Sequence, residues 1–281
     1  MGWTNYHGHC DYCDGQGKIE DYIQKAIELK MDAIGISSHA PVPFPTDWTM
    51  PAYKLEDYLK ELEGLKEKYK GQINVYKALE VDYIPGLASP KHEKIVDANL
   101  DYTVGSVHYI GQMNDGTHWA VDAPADEFKK GLIETFKGDI KRAACKYYEL
   151  QREMLEQATP DIIGHMDKIK MHNLTFNLFN ESDKWYVDEV HKTLELVKKK
   201  GVIVEINTKA YYRDGHLFPG PEHFDKIKEL DIPITINSDA HHPDKLTNAF
   251  EEVEAMLLKA GFTHFVELVD GQWCEVAIVA D

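Results

Sequence analysis

Ala33-Ile34-Gly35-Ile36-Ser37-Ser38-His39 is a short β-branched run that ends on a potential metal ligand. Before it, Ile19–Lys30 repeats apolar residues three to four apart, as a helix does. After it, Lys54–Tyr69 does the same, with Tyr58, Leu59, Leu62 and Leu65 on one stripe. The alternation runs outward in both directions. Further strand candidates are Trp3–Tyr6, Ile73–Val81, Tyr102–Val107, Ile162–Gly164, Val202–Ile206, Ile234–Ile236 and His264–Leu268. Helical patterns lie at Ile140–Gln157, Trp185–Lys199, Glu222–Leu230 and Lys245–Ala260. Strand then helix, repeated about seven or eight times, implies a closed parallel barrel or a doubly wound sheet. No linker, low-complexity tract or repeated block interrupts it, so residues 1–281 are expected to form one domain. Pro41–Pro51, rich in Pro and aromatics, is expected to be a loop that can cover a site.

The chain has 281 residues, 43% of them hydrophobic, enough for a substantial core. Lys and Arg number 31 against 48 Asp and Glu, a formal charge of −17. That surface repels nucleic-acid backbones and anionic membranes, and no basic patch offsets it. Lys66–Lys70 and Lys198–Lys200 fall on amphipathic helical patterns and are expected to be solvated faces. No export signal and no apolar run approaching the ~18 residues of a membrane span is visible, so a reducing cytoplasm is expected.

The chemistry begins at His7-Gly8-His9, directly after the first strand candidate. Side chains at i and i+2 of extended backbone point the same way, so the two imidazoles converge. Alone this pair is weak. Its weight comes from repetition: His39, Glu80, His108, His165, Glu205, and Asp239 with His241 each follow a strand candidate. Carboxyl ends of parallel strands line active sites in barrels and open sheets. One histidine there could be a hydrogen-bonded core residue; six strands ending this way point to a metal-dependent hydrolase.

These segments resemble the polymerase and histidinol phosphatase (PHP) superfamily, and within it the PHP-type histidinol-phosphate phosphatases. The resemblance is carried by Tyr6-His7-Gly8-His9 with Asp14-Gly15, Ser37-Ser38-His39-Ala40-Pro41, and Leu79-Glu80-Val81-Asp82-Tyr83-Ile84-Pro85-Gly86. It continues through Gly105-Ser106-Val107-His108, Ile163-Gly164-His165-Met166-Asp167, Glu205-Ile206-Asn207-Thr208 and Asn237-Ser238-Asp239-Ala240-His241, spanning almost the whole chain. The Glu-Val-Asp-Tyr-Ile-Pro-Gly run is the part most specific to the phosphatases. Ser38 departs from the Asp found before the histidine in many relatives.

The resemblance implies an α/β fold, a distorted (β/α)7 TIM-like barrel, with three divalent metal ions at the carboxyl ends of its strands. It implies His7, His9, Glu80 and Asp239 around the first metal. Glu80, as a bridge, His108 and His165 would surround the second, and Asp14, His39 and His241 the third. Mixed imidazole and carboxylate donors suit Zn, Mn or Fe alike. Such a centre would deprotonate a bridging water for in-line attack on phosphorus and neutralise the phosphoryl oxygens. Asp239, Glu80 and His241 are the expected catalytic residues. Asp239 would steer the nucleophile or pass a proton to the leaving group. Arg213 is expected to clamp phosphate through its guanidinium fork, with Lys209 and Arg152 as weaker candidates, and His216 lies near a site loop.

Other features carry less. Cys10-Asp11-Tyr12-Cys13 has no second Cys pair, and Cys145 and Cys274 show no ligand spacing, so spectator thiols are expected. His118-Trp119 and Asp122 follow His108, where a substrate's imidazole and ammonium could be read, although an ordinary loop with a packed Trp explains them equally. The leading expectation is hydrolysis of a small phosphate monoester, L-histidinol phosphate above others. The alternatives are another phosphoesterase or nuclease on the same scaffold, an amidohydrolase, and a metal-binding protein without catalysis.

Overall fold

β-Branched residues fill strands because they pack well on a pleated surface, and seven such runs pair in parallel in this chain. The computed structural model describes residues 2–278. In chain order the strands are β1 (Thr4–Asn5), β2 (Ala33–Ile36), β3 (Asn74–Asp82), β4 (Tyr102–Ser106), β5 (Tyr109–Gln112), β6 (His118–Ala120), β7 (Ile162–Ile163), β8 (Ile203–Asn207) and β9 (Ile234–Asn237). The hairpin β10 (His264–Val269) and β11 (Gln272–Ala277) ends the series. The main sheet has the order β1-β2-β3-β4-β7-β8-β9. Its pairs are all parallel, with Thr4 opposite Ala33, Glu80 opposite Val104 and Glu205 opposite Thr235.

Closure happens just past the strand ends. Gly8 bridges to Ala240, and the His9 amide donates to the Ala240 carbonyl at 2.8 Å. Asn5 Nδ2 adds a bond to Ser238 Oγ at 2.8 Å. The outcome is a nearly closed seven-stranded parallel barrel of distorted TIM type.

The barrel interior is plugged near the start of the strands. Tyr6, Tyr102, Ile162, Ile203, Val266 and Leu268 form one buried cluster. Tyr102 reaches across it to donate to the Tyr6 carbonyl at 2.5 Å. Gly35 makes that reach possible, since a Cβ there would lie 1.8 Å from the Tyr102 hydroxyl oxygen. The β10–β11 hairpin supplies Val266 and Leu268, so the His264–Leu268 run is a strand as expected but pairs antiparallel beneath the barrel.

Helices cover the outside. Ile140–Gln157 starts where Asp139 accepts the Arg142 amide at 3.0 Å, capping an otherwise unsatisfied donor. It buries Ala144, Tyr147, Tyr148, Met154 and Leu155 on one face, each large side chain contributing on the order of 2 kcal/mol. Lys184–Lys200 packs beside it and ends at Gly201, whose φ of +69° suits the left-handed turn. Ala125–Phe136 is a helix that the periodicity reading above leaves out, although Phe128, Leu132 and Phe136 share its buried face. No helix among the described residues is long and apolar enough to cross a membrane. With one end filled by apolar packing, the other end is left to polar side chains.

Candidate metal centre

The strand ends gather all nine expected ligands at that polar mouth. Glu80, near the end of β3 and 1% exposed, is the hub. Its Oε2 lies 3.1 Å from His7 Nε2, 3.5 Å from His9 Nε2 and 2.9 Å from His39 Nδ1. Its Oε1 lies 2.9 Å from His165 Nε2 and 3.6 Å from His108 Nε2. Asp239 stands opposite, with Oδ1 3.1 Å from His9 Nε2 and 3.9 Å from His7 Nε2. Asp14 reaches His241 Nε2 at 3.4 Å and His39 Nε2 at 3.8 Å. Donor atoms within 4.8 Å of one another fall into four overlapping sets: His7/His9/Glu80, Glu80/His108/His165, His9/Asp14/His39/His241 and His7/His165/Asp239. The sets number four, and His7, His9, Glu80 and His165 each belong to two of them.

These donors fit divalent metal ions. His7 Nε2, His9 Nε2, His39 Nδ1 and Glu80 Oε2 are buried and find no hydrogen-bond partner among the described residues. Leaving such atoms bare costs roughly 1–3 kcal/mol each, a cost that a shared cation removes. Their separations of about 3 Å without hydrogen-bond alignment are those of ligands facing a common centre. Nitrogen behind the ring completes the picture. His7 Nδ1 donates to Glu205 Oε1 at 2.6 Å, His108 Nδ1 to Asp82 Oδ1 at 3.0 Å, and His241 Nδ1 to the Asp239 carbonyl at 2.9 Å. Each bond holds the proton on Nδ1 and turns a bare Nε2 inward.

Charge is balanced around this set. Burial alone would raise the Glu80 carboxyl, but His39, His7 and His108 hold it well below the usual carboxylate range. Burial would likewise raise Asp239, and Lys209 and His7 hold it down. Burial opposes a charged His7, yet Glu205, Glu80 and Asp239 lift it well above an ordinary imidazole. Burial, with His241 and His39 beside it, pushes His9 down. The backbone enters the left-handed region at His165 (φ +22°) and Asp239 (φ +47°), costing on the order of 1–3 kcal/mol at each such non-glycine position. The His165 amide donates to Glu205 Oε2 at 2.9 Å, which helps secure that turn.

A cavity of about 730 Å³ opens onto the cluster and is polarised along its length. At the inner end, Lys209 Nζ lies 3.2 Å from Asp239 Oδ1 and 3.3 Å from His241 Nε2. Lys168 Nζ, on a side chain 6% exposed, sits 3.6 Å from Asp122 and 3.8 Å from Asp239, both beyond hydrogen-bond reach. At the outer end, the Pro41–Pro51 loop and the β5–β6 hairpin face each other. Phe44 stacks on His118 at 4.0 Å and Trp48 on Tyr109 at 5.5 Å. Asp47, Asp115, Asp122 and Glu127 line the same cavity. His108 and Lys168 offset the burial of Asp122 and bring its carboxyl down to about 2.

The cationic candidates divide sharply. Lys209 is in the cavity wall. Arg152 instead bonds Glu189 at 2.7 Å and Thr193 at 3.0 Å, tying two outer helices together. Arg213 is 61% exposed and turns back to Asp214 at 2.8 Å. His216 packs beside Phe218 with Nδ1 3.6 Å from Asp214. None of these three lines the cavity. Lys168, which the sequence reading does not single out, lines the cavity beside Lys209, and its signal was its place three residues after His165. Glu205, one of the strand-end candidates but assigned to no metal above, holds His7, and Asp82, which is given no role there, holds His108 from two residues past Glu80. Ser38 accepts the Cys10 amide at 3.3 Å and steadies the loop that follows His9.

A PHP domain model matches residues 5–209. The chain is 27% identical, over 89% of its length and 91% of the relative's, to the "Probable histidinol-phosphatase" of Deinococcus radiodurans. It is 25% identical, over 87% of its length and 96% of the relative's, to the histidinol-phosphatase of Bacillus subtilis. The crystal structure of a histidinol phosphate phosphatase from Lactococcus lactis, complexed with zinc, L-histidinol and phosphate, superposes with a TM-score of 0.74 at 19% identity. That match covers 97% of this chain and 99% of that one, and it shows a shared fold.

Proposed function

The chain belongs to the PHP domain family, and on that premise we propose that it is a metal-dependent phosphatase that hydrolyses L-histidinol phosphate to L-histidinol and phosphate. The observation that carries this reading is the polarised cavity. Asp14, His39, His108, Asp239 and His241 of the donor cluster line one end with Lys168, Lys209 and Asp122, and aromatic stacks with Asp47, Asp115 and Glu127 line the other. A substrate with a phosphate at one end and an ammonium and a flat ring at the other matches that polarity. Residues 1–281 then act as one barrel domain.

His7, His9, Glu80 and Asp239 would hold one metal ion, Glu80, His108 and His165 a second, and Asp14, His39 and His241 a third, with Zn, Mn or Fe all compatible with the donors. Bound there, the ions supply Lewis acidity toward the phosphoryl group and an acidified water. The protein's own groups do the rest. Lys168 and Lys209 draw the phosphate inward and neutralise its oxygens. Asp239, kept as a carboxylate by Lys209 and His7, accepts a hydrogen bond from the attacking water and aligns it with phosphorus. The stacked pair Phe44 and His118 forms an aromatic wall beside the ring of the leaving alcohol, while Asp47, Asp115 and Glu127 attract its ammonium. The loop and hairpin together limit water to the reacting end.

The test is phosphate release from a panel of monoesters by enzyme reconstituted separately with Mn, Zn and Fe. A preference for histidinol phosphate of about a hundredfold in kcat/KM is expected, because loose binding rarely discriminates so strongly. Flat, weak turnover would retain the phosphoesterase and overturn the substrate. An absence of turnover with every metal would favour a non-catalytic metal protein.

A further inference from the structure

Three of the clustered imidazoles have an oxygen behind them, and His9 has a sulfur. His9 is fully buried, and its Nδ1 lies 3.7 Å from Cys13 Sγ. The same sulfur lies 3.5 Å from the Cys10 carbonyl oxygen. A carbonyl oxygen can only accept, so the thiol proton goes to Cys10 and the sulfur lone pairs face His9. In that arrangement His9 is the donor, with its proton on Nδ1 and a lone pair on Nε2.

We infer that Cys13 is a positioning residue: its sulfur accepts the Nδ1 proton of His9 and so selects the tautomer that presents Nε2 to Glu80 and Asp239. The role rests on the metal-centre reading above. The loop is built for this contact. The Cys13 amide donates to the Cys10 carbonyl at 3.0 Å, closing a turn directly after His9. Gly15 packs so tightly under it that a Cβ would stand 2.3 Å from the His9 carbonyl. Asp14, between them, is thereby delivered to His39 and His241. The pair Cys10–Cys13 is therefore not a spectator to the site.

The sulfur also sets His9 apart from its neighbours. A thiol is a weaker acceptor than the carboxylates behind His7 and His108, and it pushes less electron density onto the ring. His9 belongs to two of the donor sets, His7/His9/Glu80 and His9/Asp14/His39/His241. Loss of the Cys13 acceptor should therefore be felt in both of those sets.

Zinc-loaded wild-type protein is compared with Cys13→Val, Cys13→Ser and, as a remote control, Cys145→Ala. Three readouts are taken: zinc per chain, zinc affinity by chelator competition, and the 15N signals of the His9 ring. Cys13→Val is expected to weaken zinc by about tenfold or more, the usual effect of losing a partner behind a ligating imidazole, and to shift the His9 Nδ1–H signal. Cys13→Ser, which still offers an acceptor, should recover most of both, and Cys145→Ala should match wild type. Wild-type zinc affinity and an unmoved His9 signal in Cys13→Val would overturn the inference. So would equal loss in Ser and Val, which would mean that packing alone mattered. If wild-type protein holds no zinc, the metal reading fails, and the 15N tautomer pattern of His9 still decides the role of Cys13. Should the Val variant not fold, the Ser variant decides by the same signal.

Discussion

Replacing Glu205 with Gln keeps the shape of a fully buried side chain and changes only what it can accept. In the native site both oxygens face donors. Oε1 accepts from His7 Nδ1 at 2.6 Å and from Asn237 Nδ2 at 3.1 Å. Oε2 accepts from the His165 amide at 2.9 Å and from Asn207 Nδ2 at 3.0 Å. A glutamine must turn its NH2 toward one of these pairs, and whichever it chooses, two donors are left facing a donor. Each such loss costs roughly 1–3 kcal/mol, so the variant should be destabilised by about 2–6 kcal/mol. The effect on metal follows from His7, whose inward Nε2 is secured by that 2.6 Å bond, and zinc affinity should fall by about 10–100-fold. Urea unfolding of metal-free protein isolates the first effect, and chelator competition on zinc-loaded protein isolates the second. Unchanged stability, within about 0.5 kcal/mol, together with unchanged zinc affinity would refute the claim that Glu205 organises the centre.

The remaining predictions concern the ligands, the phosphate and the pH. His9→Ala and Glu80→Ala should each lose metal and activity together while circular dichroism shows the fold retained; full activity in either would sink the ligand assignment. Lys168→Met should raise KM and weaken inhibition by inorganic phosphate by about 10–100-fold, as expected for one charge-assisted hydrogen bond of about 1.5–3 kcal/mol, whereas Arg152→Ala should leave both unchanged. Burial works against a charged His7 but Glu205, Glu80 and Asp239 outweigh it, so the metal-free ring takes up a second proton more readily than an ordinary imidazole. Metal uptake must expel that proton, and zinc affinity should climb as pH rises toward the raised value. Calorimetry in two buffers of different protonation enthalpy should show proton release on zinc uptake that shrinks as pH rises. The same sign makes the stability that His7 lends the metal-free fold full below its ordinary value and lost as pH rises through the raised one.

Local pattern was enough to place the barrel strands and most of the residues that cluster at their ends. A β-branched run followed by His or Glu needs only backbone periodicity to predict where its side chain emerges, and β3 with Glu80 or β4 with His108 follows that rule. Short polar-edged elements were less legible. The β5–β6 hairpin, with strands Tyr109–Gln112 and His118–Ala120, has too few residues for a period to stand out. Yet it builds the outer wall of the cavity. Cys13 resembled a spectator because its partner, His9 Nδ1, becomes visible only when the loop folds back.

Chain order and hydrophobic spacing therefore determined the alternation of strand and helix, the direction of the strands, and which end would carry polar chemistry. Partner choice belonged to the tertiary structure. Arg152, Arg213, Lys168 and Lys209 are all cations near predicted site segments, and the sequence reading favours Arg213 and passes over Lys168. Packing sends Arg152 to Glu189 and Arg213 to Asp214, and it leaves Lys168 and Lys209 beside Asp239. The physical reason is range. Periodicity records which face a residue occupies within one element, whereas an ion pair or hydrogen bond forms over about 3 Å between atoms that only the closed barrel brings together.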